Sequence, residues 1–222
     1  MFENIQNWRL LSGSHRFPGP DGGTCISEAA IVAAGFRYRA VHGRGDCPSC
    51  FSPVIASYAI RLNDAMSDDL RQQLLLPFVT RFAGTADIPE KEIERARYIA
   101  IQTIERILPN SLRVESKEIH PLQYEQIDEL NVAPITAARF AVWAAEVAKN
   151  TAEAADAAYV AADATADYAA TFDHAVARRA IFPIATAILE EAIKLGNQAQ
   201  PIDLALVLSR MEAIKEKAHE GA

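Results

Sequence analysis

A chain of 222 residues, half of them hydrophobic and 23% charged, can bury a sizeable core and has the balance of a folded globular protein. Its net charge of −7 argues against broad nucleic-acid binding, which needs a basic footprint, and no apolar run reaches the roughly 18 residues that span a bilayer. Three cysteines are an odd number and too few for a disulfide scaffold, and MFENIQNWRLL lacks a basic region leading into an apolar one, so a cytoplasmic protein is expected.

In chain order, residues 2–11 can form a short amphipathic helix carrying Phe2, Ile5, Trp8, Leu10 and Leu11. SGSHRFPGPDGG is loop, because Gly and Pro punctuate elements. Thr24 is placed to N-cap a helix over 25–34, with Gly35 just past its end. FRYRAVH alternates apolar and cationic residues, as a short strand or an extended arm does, and HGRGDCPSC is a tight loop. Ser52 and Pro53 are an N-cap and first-turn pair that opens a second helix.

Ser67 with Asp68 and Asp69 opens a third helix, which Pro77 kinks or divides and Gly84 closes. EKEIERARYIAIQTIERIL is the clearest amphipathic pattern: Ile93, Ala96, Ala100, Ile104 and Ile107 share one side, and Glu and Arg take the other. Pro109 stops it, and a short helix around 122–130 follows. From 134 to about 180 the chain is alanine-rich without Gly or internal Pro, which predicts one long helix. Phe140, Trp143 and Val147 would mark a buried stripe at its start, and Tyr168, Phe172 and Val176 another at its end. Pro183 should kink or break it, and Pro201 starts a last helix.

Chemistry concentrates between Gly13 and Asp64. Cys25 falls at a helix start after Gly22, Gly23 and Thr24, where unpaired N–H groups and the helix dipole lower a thiol pKa. With His15 or His42 as base and Glu28 one turn on, that is a candidate cysteine nucleophile; the plainer reading is a buried, inert thiol. Cys47-Pro-Ser-Cys50 is a C-x-x-C, either a redox dithiol or half of a zinc site; Cys47, Cys50, Cys25 and one of His15 or His42 would complete a Cys3His set. Arg37, Arg39 and Arg44 form a cationic arm open to a phosphate or an acidic partner. Glu146, Glu153, Asp156, Asp163 and Asp167 recur at helical spacing, as a solvated face or an acidic docking surface. There is no Glu-x-x-His, P-loop, dinucleotide fingerprint, His-Glu-x-x-His or Gly-x-Ser-x-Gly.

GSH, GGTCISEAA, DCPSCFSPVI, LND and LLLPFVTRFAGTAD, in that order, resemble a group of bacterial and phage-encoded proteins that also carry an alanine-rich C-terminal half. The resemblance covers roughly residues 12–108 by motif. It implies an intracellular setting compatible with mobile elements, and it brings no activity with it. Its motifs single out His15, Cys25, Glu28, Cys47 and Cys50; His42 lies outside them, which favours His15 as a fourth ligand.

The expected architecture is all-α: a helical bundle around a long alanine-rich helix (86–222) behind an irregular Cys/His-bearing layer (1–85). The expected function is a non-enzymatic interaction protein whose partner is another protein or, through the alanine-rich helix, a second copy. Its Cys/His cluster (His15, Cys25, Cys47, Cys50) would hold structural zinc. The alternative is a cysteine-dependent hydrolase or transferase using Cys25, His15 and Glu28.

Overall fold

The computed structural model describes residues 9–15, 23–107, 132–171, 174–197 and most of 202–213. Among them the chain is all-α, with no strand beyond a single bridge between Leu10 and Thr24. The helices are α1 (Ile26–Ala33), α2 (Pro53–Ala65), α3 (Asp68–Leu75), α4 (Pro89–Gln102), α5 (Val132–Val147), α6 (Thr151–Thr171) and α7 (His174–Lys194). The predicted helix over 122–130 lies outside the described residues, as do residues 2–8 of the first one; residues 9–11 are not helical.

Local chemistry sets most boundaries. Ser52 Oγ accepts from the Ile55 N–H at 3.1 Å and Pro53 occupies the first turn of α2. Pro77 divides the third pattern into α3 and a 3-10 turn, Leu76–Phe78. Gly35 takes φ +86, a left-handed value that costs glycine little. The Phe36 N–H then reaches Ile31 O and the Gly35 N–H reaches Val32 O, so the end of α1 is closed by a Schellman motif. Arg210, from the C-terminal region where 209–210 are helical, adds a bond to Ala33 O at 2.5 Å, a cation at the negative end of α1. FRYRAVH is an arm that forms neither strand nor helix.

The single long alanine-rich helix expected over 134–180 is interrupted at 148–150. Asn150 Oδ1 accepts from the Glu153 N–H, and Glu153 accepts in return from Asn150 Nδ2 and from the Lys149 N–H. This reciprocal cap starts α6 afresh, which strong helix propensity alone did not foretell. Pro183, by contrast, breaks nothing: α7 runs through it from His174 to Lys194. The last helical region starts later than Pro201, after Asp203, whose Oδ1 accepts from the Ala205 and Leu206 N–H groups.

Helix α6 is the axis of the bundle and packs against α2, α4, α5 and α7. Ala154, Ala155, Ala157, Ala158, Ala161, Ala162 and Ala164 are completely buried, so four neighbours approach it over methyl groups. Space there is set by the absence of side chain beyond Cβ. Replacing Ala161 by leucine should therefore cost about 1–3 kcal/mol in urea unfolding, while the same change at exposed Ala152 should be near neutral.

The stripe expected to be buried at the start of the alanine-rich region points the other way. Phe140, Trp143 and Val147 are 51%, 55% and 46% exposed, and the buried side of α5 is Ala138, Ala141 and Ala145. Tyr168 is buried, as expected of the second stripe; the Phe172 and Val176 side chains lie outside the described residues. The amphipathic pattern of α4 also differs from expectation. Ala96, Ala100 and Ile107 are buried, but so are Glu92 and Arg95, at 0% exposure each. The pattern's last turn is a π-helical segment, Thr103–Ile107.

Candidate functional site

The motif residues of the N-terminal half converge on a buried polar cluster under α1. Its N-cap is Cys25, not Thr24: Cys25 has extended φ and ψ, and its Sγ accepts from the Glu28 N–H at 3.4 Å. Glu28 returns the bond, its Oε2 accepting from the Cys25 N–H at 2.8 Å, which completes a capping box with a thiol in place of a hydroxyl. Thr24 instead pairs through its backbone with Arg9 and Leu11.

Glu28 is completely buried, and its second oxygen carries three further bonds. Oε1 accepts from Ser14 Oγ at 3.1 Å, the His15 N–H at 3.0 Å and the Val41 N–H at 3.0 Å. One carboxylate thus fastens α1, the loop at 14–15 and the end of the arm. Tyr38 closes the same corner by donating to His15 O.

The LND motif joins from α2. Asn63 is buried, accepts from the Ile26 N–H at 3.2 Å and donates to Leu11 O at 2.8 Å; Asp64 accepts from the Gly13 N–H at 2.7 Å. Arg71, 2% exposed, donates to the carbonyls of Leu10, Asn63 and Met66 and to Asp68. Ser14, Asn63, Asp64 and Arg71 were not singled out by sequence reasoning. The order of GSH, GGTC and LND along the chain was the available signal for the first three; Arg71 had none.

A second buried network sits where DCPSCFSP meets FAGTAD. Ser52 Oγ donates to Glu92 Oε2 at 2.5 Å, while Glu92 Oε1 accepts from Arg95 Nη1 at 2.9 Å and from the Asp87 N–H at 3.1 Å. Arg95 also donates to Thr85 O at 2.6 Å and Asn197 O at 3.3 Å. Burial pushes the Glu92 carboxyl above its ordinary range, against the pull of Ser52 and Arg95.

The candidate site residues divide as follows. Cys25 and Glu28 are together, and His15 reaches them only through its main chain. The His15 ring turns away: its Nε2 is 3.0 Å from Ser12 O, and since a carbonyl only accepts, that nitrogen carries the proton. His42 contributes its backbone N–H to Asp46 Oδ2. Cys50 is half-buried, and its carbonyl accepts from the Gly84 and Ala86 N–H groups. All three thiols are free. Among the described residues no group of three or more His, Cys, Asp or Glu side chains is placed to hold a metal ion.

Two of the thiols, Cys25 and Cys47, are held in the protonated form. Burial pushes Cys25 far above an ordinary thiol, and the adjacent Glu28 charge adds to that; the helix N–H groups oppose both and lose. This is opposite in direction to the expectation from the helix dipole. Burial likewise pushes Cys47 up to about 11, with the Ser27 hydroxyl and the Arg39 charge as weaker opposing influences.

The cationic arm splits. Arg44 leaves it to pair with Asp156 at 2.5 Å, while Arg37 and Arg39 line a groove of about 440 Å³ with Phe36, Tyr38, Pro48 and Ser49. Arg61 pairs with Asp163 at 2.6 Å. Asp156 and Asp163 are therefore exposed but paired within the chain: they seat the N-terminal layer on α6. Such half-exposed pairs are worth about 0–1 kcal/mol each and set register more than stability. Glu146 lies on α5, across the helix break, so the five acids do not share one helix.

No protein-family model, curated protein or solved structure matches this chain. The functional reading therefore rests on the chain's own geometry. No helix among the described residues is long and apolar enough to cross a membrane.

Proposed function

We propose that this chain is a non-enzymatic interaction protein. In this reading the Cys/His-bearing layer is a hydrogen-bonded fastener, and the working face is the outer side of α5, which meets another polypeptide. The observation that carries it is the exposure of Phe140, Trp143 and Val147, with the Phe140 and Trp143 rings in tilted contact at 5.4 Å between centroids. Large apolar side chains contiguous on one exposed helix face mark contact sites, and tryptophan is among the residues most enriched in binding hot spots. In the N-terminal layer the reactive side chains are already engaged: Glu28 is spent on four donors of its own chain and Cys25 on a helix cap.

Two measurements test the two halves of this reading. In a Trp8→Phe background, Trp143 of dilute protein should emit like solvent-exposed tryptophan and be quenched readily by acrylamide. A blue, unquenchable emission at every dilution would remove the working face.

The fastener predicts that native Cys25 resists iodoacetamide at neutral pH and that denaturant exposes it. Fast native labelling of Cys25 would revive the nucleophile with His15 and Glu28. About one zinc per purified chain, with chelation lowering the melting temperature, would instead restore His15, Cys25, Cys47 and Cys50 as a metal site.

A further inference from the structure

The outer side of α5 is complementary to itself. Taking 100° per residue, Trp143 lies at the centre of the exposed face with Thr136 beside it. Phe140 and Val147, seven residues apart, lie together on one flank of that centre. Arg139 and Glu146, also seven apart and both exposed, lie together on the other. The chain therefore presents two one-heptad pairs, one apolar and one of opposite charge, on either side of a tryptophan.

Two copies of such a helix placed antiparallel around a two-fold axis bring like flanks together. With the axis at Trp143, Phe140 of each copy comes level with Val147 of the other, and Arg139 of each comes level with Glu146 of the other. The mean positions of the two pairings are 143.5 and 142.5, within one residue of the axis, so one alignment satisfies both flanks. A parallel pair fails this test: it sets unlike flanks together, so Arg139 would run beside Thr136 and Phe140 of its neighbour and its charge would go unmet. Isologous contacts of this kind close after two copies and need only one surface patch.

From this complementarity we infer that α5 is the interface of an antiparallel homodimer, centred on Trp143 and registered by two symmetric Arg139–Glu146 pairs. The inference rests on the α5 face being the working face and names its partner as a second copy. One sixteen-residue helix buries less than the roughly 800 Å² per partner of a standard interface, so the association falls in the micromolar range.

Sedimentation equilibrium between about 1 and 200 µM should show a reversible monomer–dimer transition. Trp143→Ala should abolish it. Arg139→Glu and Glu146→Arg should each weaken it at least tenfold, since each sets like charges opposite one another twice. Mixing R139E with E146R places opposite charges at both flank positions, and the mixture should associate within about threefold of the wild type. The double variant R139E/E146R should do the same. All positions are exposed, and unchanged far-ultraviolet circular dichroism confirms that each variant is folded.

A wild type that stays monomeric throughout overturns the inference, as does a mixture no tighter than the single variants. If that monomer still shows a quenchable Trp143, only the self-pairing fails and the face remains for a different protein. If Trp143 is shielded in the monomer, the working face fails with it.

Discussion

Glutamine at position 28 should lower the unfolding free energy by about 2–4 kcal/mol, although it is nearly isosteric with glutamate. Glu28 Oε1 accepts from Ser14, His15 and Val41, and Oε2 accepts from Cys25. An amide has one acceptor and one donor end. Turned one way it faces its NH2 toward the Cys25 N–H; turned the other way it opposes three donors. Donors are stranded in either orientation, in a site with no access to water, and hydrogen bonds to a charged acceptor are worth more than those to a neutral one. Glu28→Ala should cost more, because four donors lose their partner at once. Urea unfolding gives the magnitude, and hydrogen exchange gives the location: the Cys25, His15 and Val41 amides should lose protection before those of α6. A change below about 0.5 kcal/mol would show that the cluster does not fasten the layer.

Arg95→Met is the second large effect. Arg95 and Glu92 are both fully buried, so removing the guanidinium leaves a carboxylate in the core with only Ser52 and the Asp87 N–H. Stranding one partner of a buried ion pair typically costs about 3–5 kcal/mol. Thr85 O and Asn197 O lose their donor as well. Glu92→Gln/Arg95→Met should recover a good part of the loss, because neither charge is then left alone. The pH dependence has a definite sign. Burial already raises the Glu92 pKa in the folded state, and removing Arg95 raises it further. A carboxyl with a raised folded pKa is best tolerated protonated, so the deficit of the single variant should be smallest below the ordinary glutamate range. It should grow as pH rises toward neutrality. A deficit that is flat with pH, or a double variant no better than the single one, would locate the instability elsewhere.

These two carboxylates also show where sequence reasoning reached and where it stopped. Glu28 was legible as a position because it follows Cys25 by one turn, and its place at a helix start was read correctly. Its four bonds were not legible, because three come from residues 13 to 14 positions away that only the folded chain brings near. Glu92 and Arg95 were assigned to the solvent side of α4 on charge alone. Periodicity says which residues share a face; it does not say which polar groups await them on the other side. Here Ser52, Thr85 and Asn197 await them, and a buried pair results.

The alanine-rich half shows the same limit in reverse. Propensity identified helix over most of this half, but it did not foresee the break made by the Asn150 and Glu153 cap, and Pro183 was expected to kink or break a helix that runs on through it. Nor could propensity say which side of α5 faces inward. Phe140, Trp143 and Val147 are the larger apolar residues and were expected to be inside, yet most of what α6 buries is alanine methyl. The closest packing against such a helix is by another small-residue face, so Ala138, Ala141 and Ala145 go inward and the aromatics are left out.

What the sequence determined by itself is the all-α class, the caps at Ser52 and Gly35, and the division at Pro77, because each depends on residues within one turn of one another. Tertiary structure alone decided the burial of Glu28, Glu92 and Arg95, the protonated state of Cys25 and the outward turn of Trp143. Each of these depends on which distant surface arrives to cover a residue, and burial is a property of that surface as much as of the residue itself.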